Sequence, residues 1–146
     1  MAIVKENGAI KAYPPFTEEE VAQLRVGDHV KLSGTIYTAR DAAHRRMIQA
    51  LDAGESLPMD IKGQVIYYVG PSPARPGRVI GSAGPTTSMR LDPFTPRLLE
   101  EGLKVIIGKG GRGSVVKQAL QDNKAVYLLA IGGAGALLSQ TIKRMD

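Results

Sequence analysis

Residues 103–131 decide the fold, and their sequence reads LKVIIGKGGRGSVVKQALQDNKAVYLLAI. Two apolar runs, at 103–107 and 125–131, predict buried strands, and the spacing of apolar residues at 114–120 predicts a helix between them. Glycine-rich sequence provides the turn that joins the first strand to the helix. This order of elements predicts an α/β domain with largely buried strands.

The same alternation of strand and helix extends toward both ends of the chain. The other predicted elements are a strand at 30–36, a helix at 41–54, a strand at 65–69, a short strand at 79–80, and helices at 95–101 and 136–144. Proline and glycine at 71–77 predict a loop. No internal repeat or linker divides the sequence, so one domain is expected.

The N-terminal residues 1–16 are expected to form an extended arm, which lies on the body or on a partner. They end in Tyr13-Pro14-Pro15-Phe16, a sequence that disfavours helix. Thr17 and Glu20 then have the spacing of a capping box, which predicts a short helix ending near Gly27. The compact domain is therefore expected to span 17–146.

The composition limits the classes of function. Nineteen basic and fourteen acidic residues give a net charge of +5, which suits an anionic ligand, a nucleic acid or an acidic partner. Aromatic residues make up 5% of the chain and tryptophan is absent, so nucleic-acid binding by base stacking is disfavoured. The first residues lack a long apolar core, so neither a signal peptide nor a membrane span is expected, and a cytoplasmic location follows.

The metal-binding potential of the chain is small. It has no cysteine, and its two histidines, His29 and His44, are fifteen residues apart. Disulfides are therefore excluded, and a zinc site made by this chain alone would have too few soft ligands at ordinary spacing. We expect no metal to be held by this chain alone.

The sequence Gly108-Lys-Gly-Gly-Arg-Gly113 matches the G-x-G-x-x-G pattern of dinucleotide-binding turns. That motif also needs an acidic residue about twenty positions later, where this chain has Leu128 to Ile131. The pattern of a Walker A loop is also absent, so a nucleotide cofactor is disfavoured. Two readings stay open: a tight turn with Lys109 in solvent, or a turn whose backbone amides and Lys109 approach a bound anion.

Two further segments are candidates for anion binding. Residues 81–90 combine glycines, small hydroxyl residues and Arg90, so their donors could converge on an oxyanion, although a structural loop would have a similar composition. Arg40 directly precedes a predicted helix, where an anion would meet both its guanidinium and the helix dipole. The alternative for Arg40 is a surface ion pair with Asp41, which would contribute little.

Taken together, these segments resemble a known family of enzymes. The matching sequences are TARDAAHRR at 38–46, Gly-Pro at 70–71, Pro-Gly at 76–77, GPTTSMR at 84–90 and GKGG at 108–111. In order and spacing they resemble the β part of the class I fumarases, a family that includes the β subunit of L-tartrate dehydratase. The resemblance covers about residues 17–146.

The resemblance implies a fold, an activity and a partner. The implied fold is a swivelling β/β/α domain, an α/β arrangement with a layered mixed sheet and flanking helices. The implied activity is that of a hydro-lyase, fumarate hydratase, which interconverts fumarate and L-malate; the alternatives are an L(+)-tartrate dehydratase β subunit and a non-catalytic dicarboxylate-binding module. The implied partner is an α subunit whose three cysteines hold a 4Fe-4S cluster, in an α2β2 heterotetramer. Chains of the family usually continue beyond the position of residue 146, so a shortened form or a missing segment is expected.

The resemblance also assigns residues to the site. The residues implied to bind substrate carboxylates are Arg40, Arg90 and Lys109. Thr86 matches a catalytic threonine, and the secondary candidates are His44, Thr87 and Gly84. A threonine hydroxyl is a very weak base, so an aspartate of the α part is expected to share that role. His44 lies one helical turn after Arg40, where it either points toward the ligand or packs against the helix surroundings.

Overall fold

The computed structural model of the protein describes residues 3–6, 8–57, 59–69, 76–77, 79 and 88–130. Within these residues the strands are β1 (Ile3–Glu6), β2 (Ala9–Ala12), β3 (Val30–Leu32), β4 (Tyr37–Thr38), β5 (Val65–Tyr67), β6 (Val105–Gly108) and β7 (Val126–Leu129). The α-helices are α1 (Glu18–Val21), α2 (Asp41–Asp52), α3 (Thr95–Glu100) and α4 (Ser114–Asp122), and a 3-10 helix spans Ser88–Leu91. The predicted α/β class is confirmed.

The strands form two sheets with different pairing. In the first sheet the order is β1-β2-β3, with β1 antiparallel to β2 and β2 parallel to β3. In the second the order is β4-β5-β6-β7, and every pair is parallel. Parallel neighbours need crossover connections, and α2, α3 and α4 lie in those connections. All four strands therefore end at one edge of the second sheet, the edge beyond Thr38, Tyr67, Gly108 and Leu129, which we call the carboxyl end of the sheet.

The four-stranded sheet is covered on both faces. Ile66 and Ile106 are fully buried in a cluster with side chains of α2 and α3, including Met47 and Leu98. Their neighbours Val65 and Val105 point to the opposite face, because side chains alternate along a strand, and pack with residues of β1 and β2. Each aliphatic side chain buried in this way contributes about 1.5–3 kcal/mol. Burial on both faces explains the uninterrupted apolar runs in the sequence.

The N-terminal segment, expected as an extended arm, contains two strands of the first sheet. β2 pairs with β3, with Ile10 opposite Val30 and Ala12 opposite Leu32. Ile3, Ile10 and Ala12 are buried in the cluster beneath the four-stranded sheet. Through these pairings the described residues of the segment are part of the layered body.

Two predicted elements are shorter in the structure, each for a local reason. The predicted strand 30–36 ends at Leu32, since Gly34 takes a positive φ of 116° and the chain passes to the other sheet at β4. The capping box is present, with Thr17 accepting from the Glu20 amide at 3.2 Å. However, α1 ends at Val21, and Asp28 accepts a hydrogen bond from the Arg25 amide at 2.7 Å, a local bond that competes with continuing the helix.

Several predictions fall outside the described residues. They are the helix at 136–144, the loop at 71–75, residue 80 of the short strand at 79–80, and the segment 80–87. Across the part of the chain that the structure does describe, no helix has both the length and the apolar character needed to cross a bilayer.

Candidate functional site

The carboxyl end of the four-stranded sheet brings Arg40 and Lys109 to one edge of the molecule. Thr38 of β4 is aligned with Tyr67 of β5, which is aligned with Ile107 of β6. Arg40 and Lys109 each follow their aligned residue by two positions. The aligned positions are two strand spacings apart, about 10 Å. Ligands of parallel α/β sheets bind beyond the carboxyl ends of the strands, so these two cations lie where such a site is expected.

Arg90 is held at the same edge by two contacts of the 3-10 helix. The Ser88 amide donates to the Lys109 carbonyl at 3.0 Å, which fixes the 3-10 helix against the end of β6. Arg90 Nη2 donates to Asp41 Oδ2 at 2.5 Å, and Asp41 is the first residue of α2, next to Arg40. The structure therefore brings together three of the predicted site residues, Arg40, Arg90 and Lys109. Asp41, which was considered as a partner of Arg40, forms an ion pair with Arg90 in the structure.

The other predicted residues of the 84–90 segment are outside the described part of the chain. These residues are Gly84, Thr86 and Thr87. Their predicted roles, including that of Thr86 in catalysis, stay predictions. The described residues that follow, Ser88 to Leu91, start directly after Thr87 and lie against the end of β6.

A buried network around Arg112 supports the glycine-rich turn, and sequence reasoning missed it. The Arg112 side chain is 1% exposed, and its Nε donates to Asp92 Oδ1 at 2.7 Å. Its Nη2 donates to Thr95 Oγ1 at 2.8 Å and its Nη1 to the Tyr68 hydroxyl at 3.2 Å. Charge-assisted bonds of this kind, out of water, are among the stronger interactions in a protein. Arg112 thus joins the glycine-rich turn to α3 and to the end of β5.

Tyr127 holds the same turn from the side of β7. Its hydroxyl donates to the Gly110 carbonyl at 2.9 Å, so the 2.6 Å contact with Ser88 Oγ has the serine as donor. The Arg112 guanidinium lies between two rings, with Cζ 5.2 Å from the Tyr68 centroid and 5.1 Å from the Tyr127 centroid, at cation–π distance. Lys109 therefore projects from a turn that is fixed on both sides.

The Asp92 carboxylate lies at the start of α4, where a dinucleotide-binding motif would hold a pyrophosphate. The Gly113 amide donates to Asp92 Oδ2 at 2.8 Å while the other oxygen accepts from Arg112. A dinucleotide would need this helix N-terminus for its pyrophosphate. Here the protein's own carboxylate takes that place. The segment 108–113 is therefore a structural turn where it enters α4, and Lys109 lies where the segment leaves β6.

Gly108→Ala is expected to destabilise the fold and displace the 3-10 helix. A Cβ at residue 108 would lie 2.0 Å from Ser88 Oγ and 3.1 Å from the Tyr68 ring. Ser88 is fully buried and bonded to Tyr127, so it has no room to move aside. Overpacking of this kind costs about 1–3 kcal/mol, measured as the loss in the free energy of unfolding by urea titration.

Gly111→Ala is the matched control for this substitution. A Cβ at Gly111 meets no atom within 4 Å, so its free energy of unfolding should change by less than about 0.5 kcal/mol. Equal stability of the two variants would contradict the packing described between Ser88 and the end of β6.

His44 is fully buried behind the site. Its Nδ1 lies 2.7 Å from the Arg40 carbonyl, which accepts, so Nδ1 carries the proton and Nε2 is the free acceptor of the neutral ring. The ring packs edge-on against Tyr68, with 5.3 Å between centroids, and Nε2 has no hydrogen-bond partner among the described residues. The structure thus gives the packed environment that was one of the two expectations for His44.

The free energy of unfolding is expected to decrease as the pH is lowered into the acidic range, because of His44. Burial lowers the pKa of His44 below 6.5, although the bond to the Arg40 carbonyl partly opposes this. The unfolded chain therefore binds the proton at a higher pH than the folded chain, and the free energy of unfolding decreases as the pH falls below about 6.5. His44→Asn, which retains a donor for Arg40, should flatten this dependence, whereas His29→Gln should keep it. A His44→Asn curve that coincides with the wild-type curve would contradict this account.

The chemistry available at this edge is the binding of an anion. Burial raises the pKa of Tyr68 and of Tyr127, so both phenols stay protonated at neutral pH and act as donors, not as bases. Among the described residues no group of three or more histidine, cysteine, aspartate or glutamate side chains is arranged to hold a metal ion. The three cations at the carboxyl end of the sheet suit carboxylates, which accept from guanidinium and ammonium groups.

Comparison with known proteins identifies a family model and several relatives that are similar to this chain. Residues 4–146 match the family model described as the fumarase C-terminus. The chain is 40% identical over 134 residues to a protein of Methanocaldococcus jannaschii named putative L(+)-tartrate dehydratase subunit beta, a match that covers 90% of this chain and 69% of that protein. It is 37% identical over 145 residues to a Geobacillus stearothermophilus protein named putative fumarate hydratase class I, covering 97% of this chain and 27% of that protein. The Escherichia coli L(+)-tartrate dehydratase subunit beta is 33% identical over 135 residues, with 90% and 66% covered.

The share of each relative's length that this chain covers differs between the fumarate hydratase and the tartrate dehydratase β subunits. The chain spans about a quarter of the class I fumarate hydratase and about two thirds of the tartrate dehydratase β subunits. It therefore corresponds to one portion of the longer enzyme and to most of the separate β subunit. Since the family model covers nearly the whole sequence, the chain belongs to the fumarase C-terminus family, as the resemblance predicted.

Proposed function

We propose that this chain is the β part of a hydro-lyase that adds water to, or removes it from, a small dicarboxylate. The leading assignment is fumarate hydratase, which interconverts fumarate and L-malate. The observation that supports it most is the gathering of Arg40, Arg90 and Lys109 at the carboxyl end of the sheet. Membership of the fumarase C-terminus family supports the same assignment.

The three cations are proposed to bind the two carboxylates of the substrate. A planar guanidinium can take a carboxylate through two parallel hydrogen bonds, whereas the Lys109 ammonium adds a compact charge. Removal of a proton next to a carboxylate transfers negative charge onto that carboxylate. Arg40, Arg90 and Lys109 should therefore stabilise the transition state more than the bound substrate, which is the requirement for raising kcat.

The catalytic step is proposed to need a second polypeptide segment. Thr86 is assigned by the family resemblance to the reacting carbons, but its hydroxyl needs a carboxylate to activate it as a base, and we assign that carboxylate to the α part. The chain has no cysteine, so it does not fit a 4Fe-4S cluster as a ligand, and the α part is proposed to hold the cluster. When bound there, the cluster would supply Lewis-acid chemistry to the leaving hydroxyl.

The assembly is proposed to be an α2β2 heterotetramer in the cytoplasm, with this chain in the swivelling β/β/α arrangement. The layers described here are consistent with that arrangement, because one sheet covers one face of the four-stranded sheet and helices cover the other. Two alternatives stay open: an L(+)-tartrate dehydratase β subunit, favoured by the coverage of the separate β subunits, and a non-catalytic dicarboxylate-binding module.

The test is anaerobic co-expression with the candidate α chain, followed by assay with fumarate, malate and tartrate. Turnover of fumarate and malate supports the leading assignment, and turnover of tartrate alone supports the second. Binding of a dicarboxylate without turnover of any of the three supports the non-catalytic module. A complex that neither binds nor converts these acids would refute the proposal.

A further inference from the structure

The site contains an acidic residue with no assigned role, Asp41, in direct contact with Arg90. The Arg90 side chain is 51% exposed, so without a partner its long side chain would sample many rotamers. Ordering such a side chain when a ligand binds reduces affinity by the entropy that is lost. A site that uses Arg90 therefore benefits from a partner that orders it beforehand.

Asp41 is a rigid partner for Arg90. It is the first residue of α2, a helix of 12 residues, and a carboxylate there is stabilised by the helix dipole. Its short side chain has few rotamers, and its Oδ2 accepts from Arg90 Nη2 at 2.5 Å. The α2 end is fixed in turn, because the Arg40 carbonyl accepts from the His44 amide at 2.9 Å and from its ring.

The geometry of the ion pair leaves Arg90 able to bind a second carboxylate. The contact with Asp41 is made through one guanidinium nitrogen, and a guanidinium has five N–H donors. Asp41 also brings one negative charge to the three cations Arg40, Arg90 and Lys109. The cluster then has two net positive charges, which match the two negative charges of a dicarboxylate.

We propose that Asp41 is a positioning residue, which holds the Arg90 guanidinium in the orientation that receives a substrate carboxylate. This inference rests on the proposed dicarboxylate function. It predicts that Asp41→Asn, in the enzyme assembled with its α partner, lowers kcat/KM by about ten- to a hundredfold, since misplacement of a binding group by about 1 Å has effects of that size. The thermal midpoint should fall by only a few degrees, because an exposed ion pair and a carboxylate at a helix N-terminus each contribute little to stability.

Asp52→Asn is the matched control. Asp52 forms a comparable ion pair with Arg97 at 2.7 Å, and it lies at the other end of α2, about 16 Å from Asp41 along the helix axis. The control makes the same change in charge and removes an ion pair from the same helix, and kcat/KM should stay unchanged. Asp41→Glu keeps the carboxylate and should recover part of the loss.

Arginine-selective ¹⁵N relaxation of the assembled enzyme separates this proposal from the proposed function. The order parameter of the Arg90 Nε–H group should fall in Asp41→Asn, and that of Arg97 should not. If wild type converts no dicarboxylate, the proposed function fails, and the Arg90 order parameter still tests the ion pair as a restraint. An unchanged Arg90 order parameter would overturn the inference, as would an unchanged kcat/KM in an active enzyme. A higher kcat/KM would also overturn it, because Asp41 would then compete with the substrate.

Discussion

Arg90→Ala is expected to lower kcat of the assembled enzyme by about 10²- to 10³-fold, the effect of removing one group that stabilises developing charge in a transition state. Arg90 is half-exposed at the carboxyl end of the sheet, and its ion pair with Asp41 leaves donors for a ligand. The charge on the substrate carboxylate increases as the neighbouring proton leaves, so the loss should appear mainly in kcat and less in KM. Steady-state kinetics with fumarate and malate measure both constants.

Arg97→Ala is the control for this prediction, because it removes the same side chain from an exposed ion pair. Arg97 pairs with Asp52 and has a comparable exposed fraction, 43% against 51% for Arg90. Its partner Asp52 is the last residue of α2, at the end of the helix far from the site, so kcat should be retained. If Arg90→Ala keeps the wild-type rate, Arg90 has no part in the reaction. The proposal that Arg40, Arg90 and Lys109 bind the substrate carboxylates is then wrong. Arg90→Lys, which keeps the charge without the planar fork, should fall between the two.

The predictions of secondary structure held where a segment's own pattern decides its structure. The strands at 65–69, 103–107 and 125–131 were expected from their apolar runs, and the structure has β5, β6 and β7 within or overlapping these limits. β5 and β6 are largely buried, whereas β7 is only partly buried and its Leu129 is exposed. The N-terminal strands were read as an arm. The pairing of β1 with β2 is local, with Glu6 opposite Ala9, and the hairpin signal of Asn7-Gly8 in the sequence was missed. The pairing of this hairpin with the rest of the sheet is not local. β2 pairs with β3, about twenty residues away, and no feature of 9–12 alone identifies that partner.

The same distinction applies to the site. Lys109 could be found from the sequence because it follows a predicted strand, and Arg40 because it directly precedes a predicted helix. The strand that Arg40 follows in the structure, β4, was not predicted. The ion pair of Arg90 with Asp41 joins residues 49 positions apart and has no local signal. Arg112 was given no role from the sequence, although its side chain is buried and paired with Asp92. One signal was available: Tyr68 and Tyr127 both occur in strongly apolar segments, and buried tyrosines require hydrogen-bond partners.

Arg112→Met is expected to lower the free energy of unfolding by about 3 kcal/mol, the effect of leaving one member of a buried ion pair without its partner. Asp92 would keep the Gly113 amide and lose its guanidinium, and Thr95 and Tyr68 would each lose a donor. Methionine fills much of the same volume between the two tyrosine rings, so the effect should come mainly from the lost polar contacts. A chain of this size should then unfold about 10 °C lower, as measured by calorimetry.

A double-mutant cycle distinguishes the loss of the ion pair from a general loss of packing. Arg112→Met with Asp92→Asn removes both charges, so its destabilisation should be smaller than the sum of the two single changes. Arg97→Met is the exposed control and should leave the transition unchanged, since its pair with Asp52 is at the surface. Additive effects in the Arg112 and Asp92 cycle would mean that the two side chains do not interact, and the glycine-rich turn would then need another support for Lys109. Coupling in that cycle, with reduced affinity for a dicarboxylate in the Arg112 variant, would show that the buried network also serves the site.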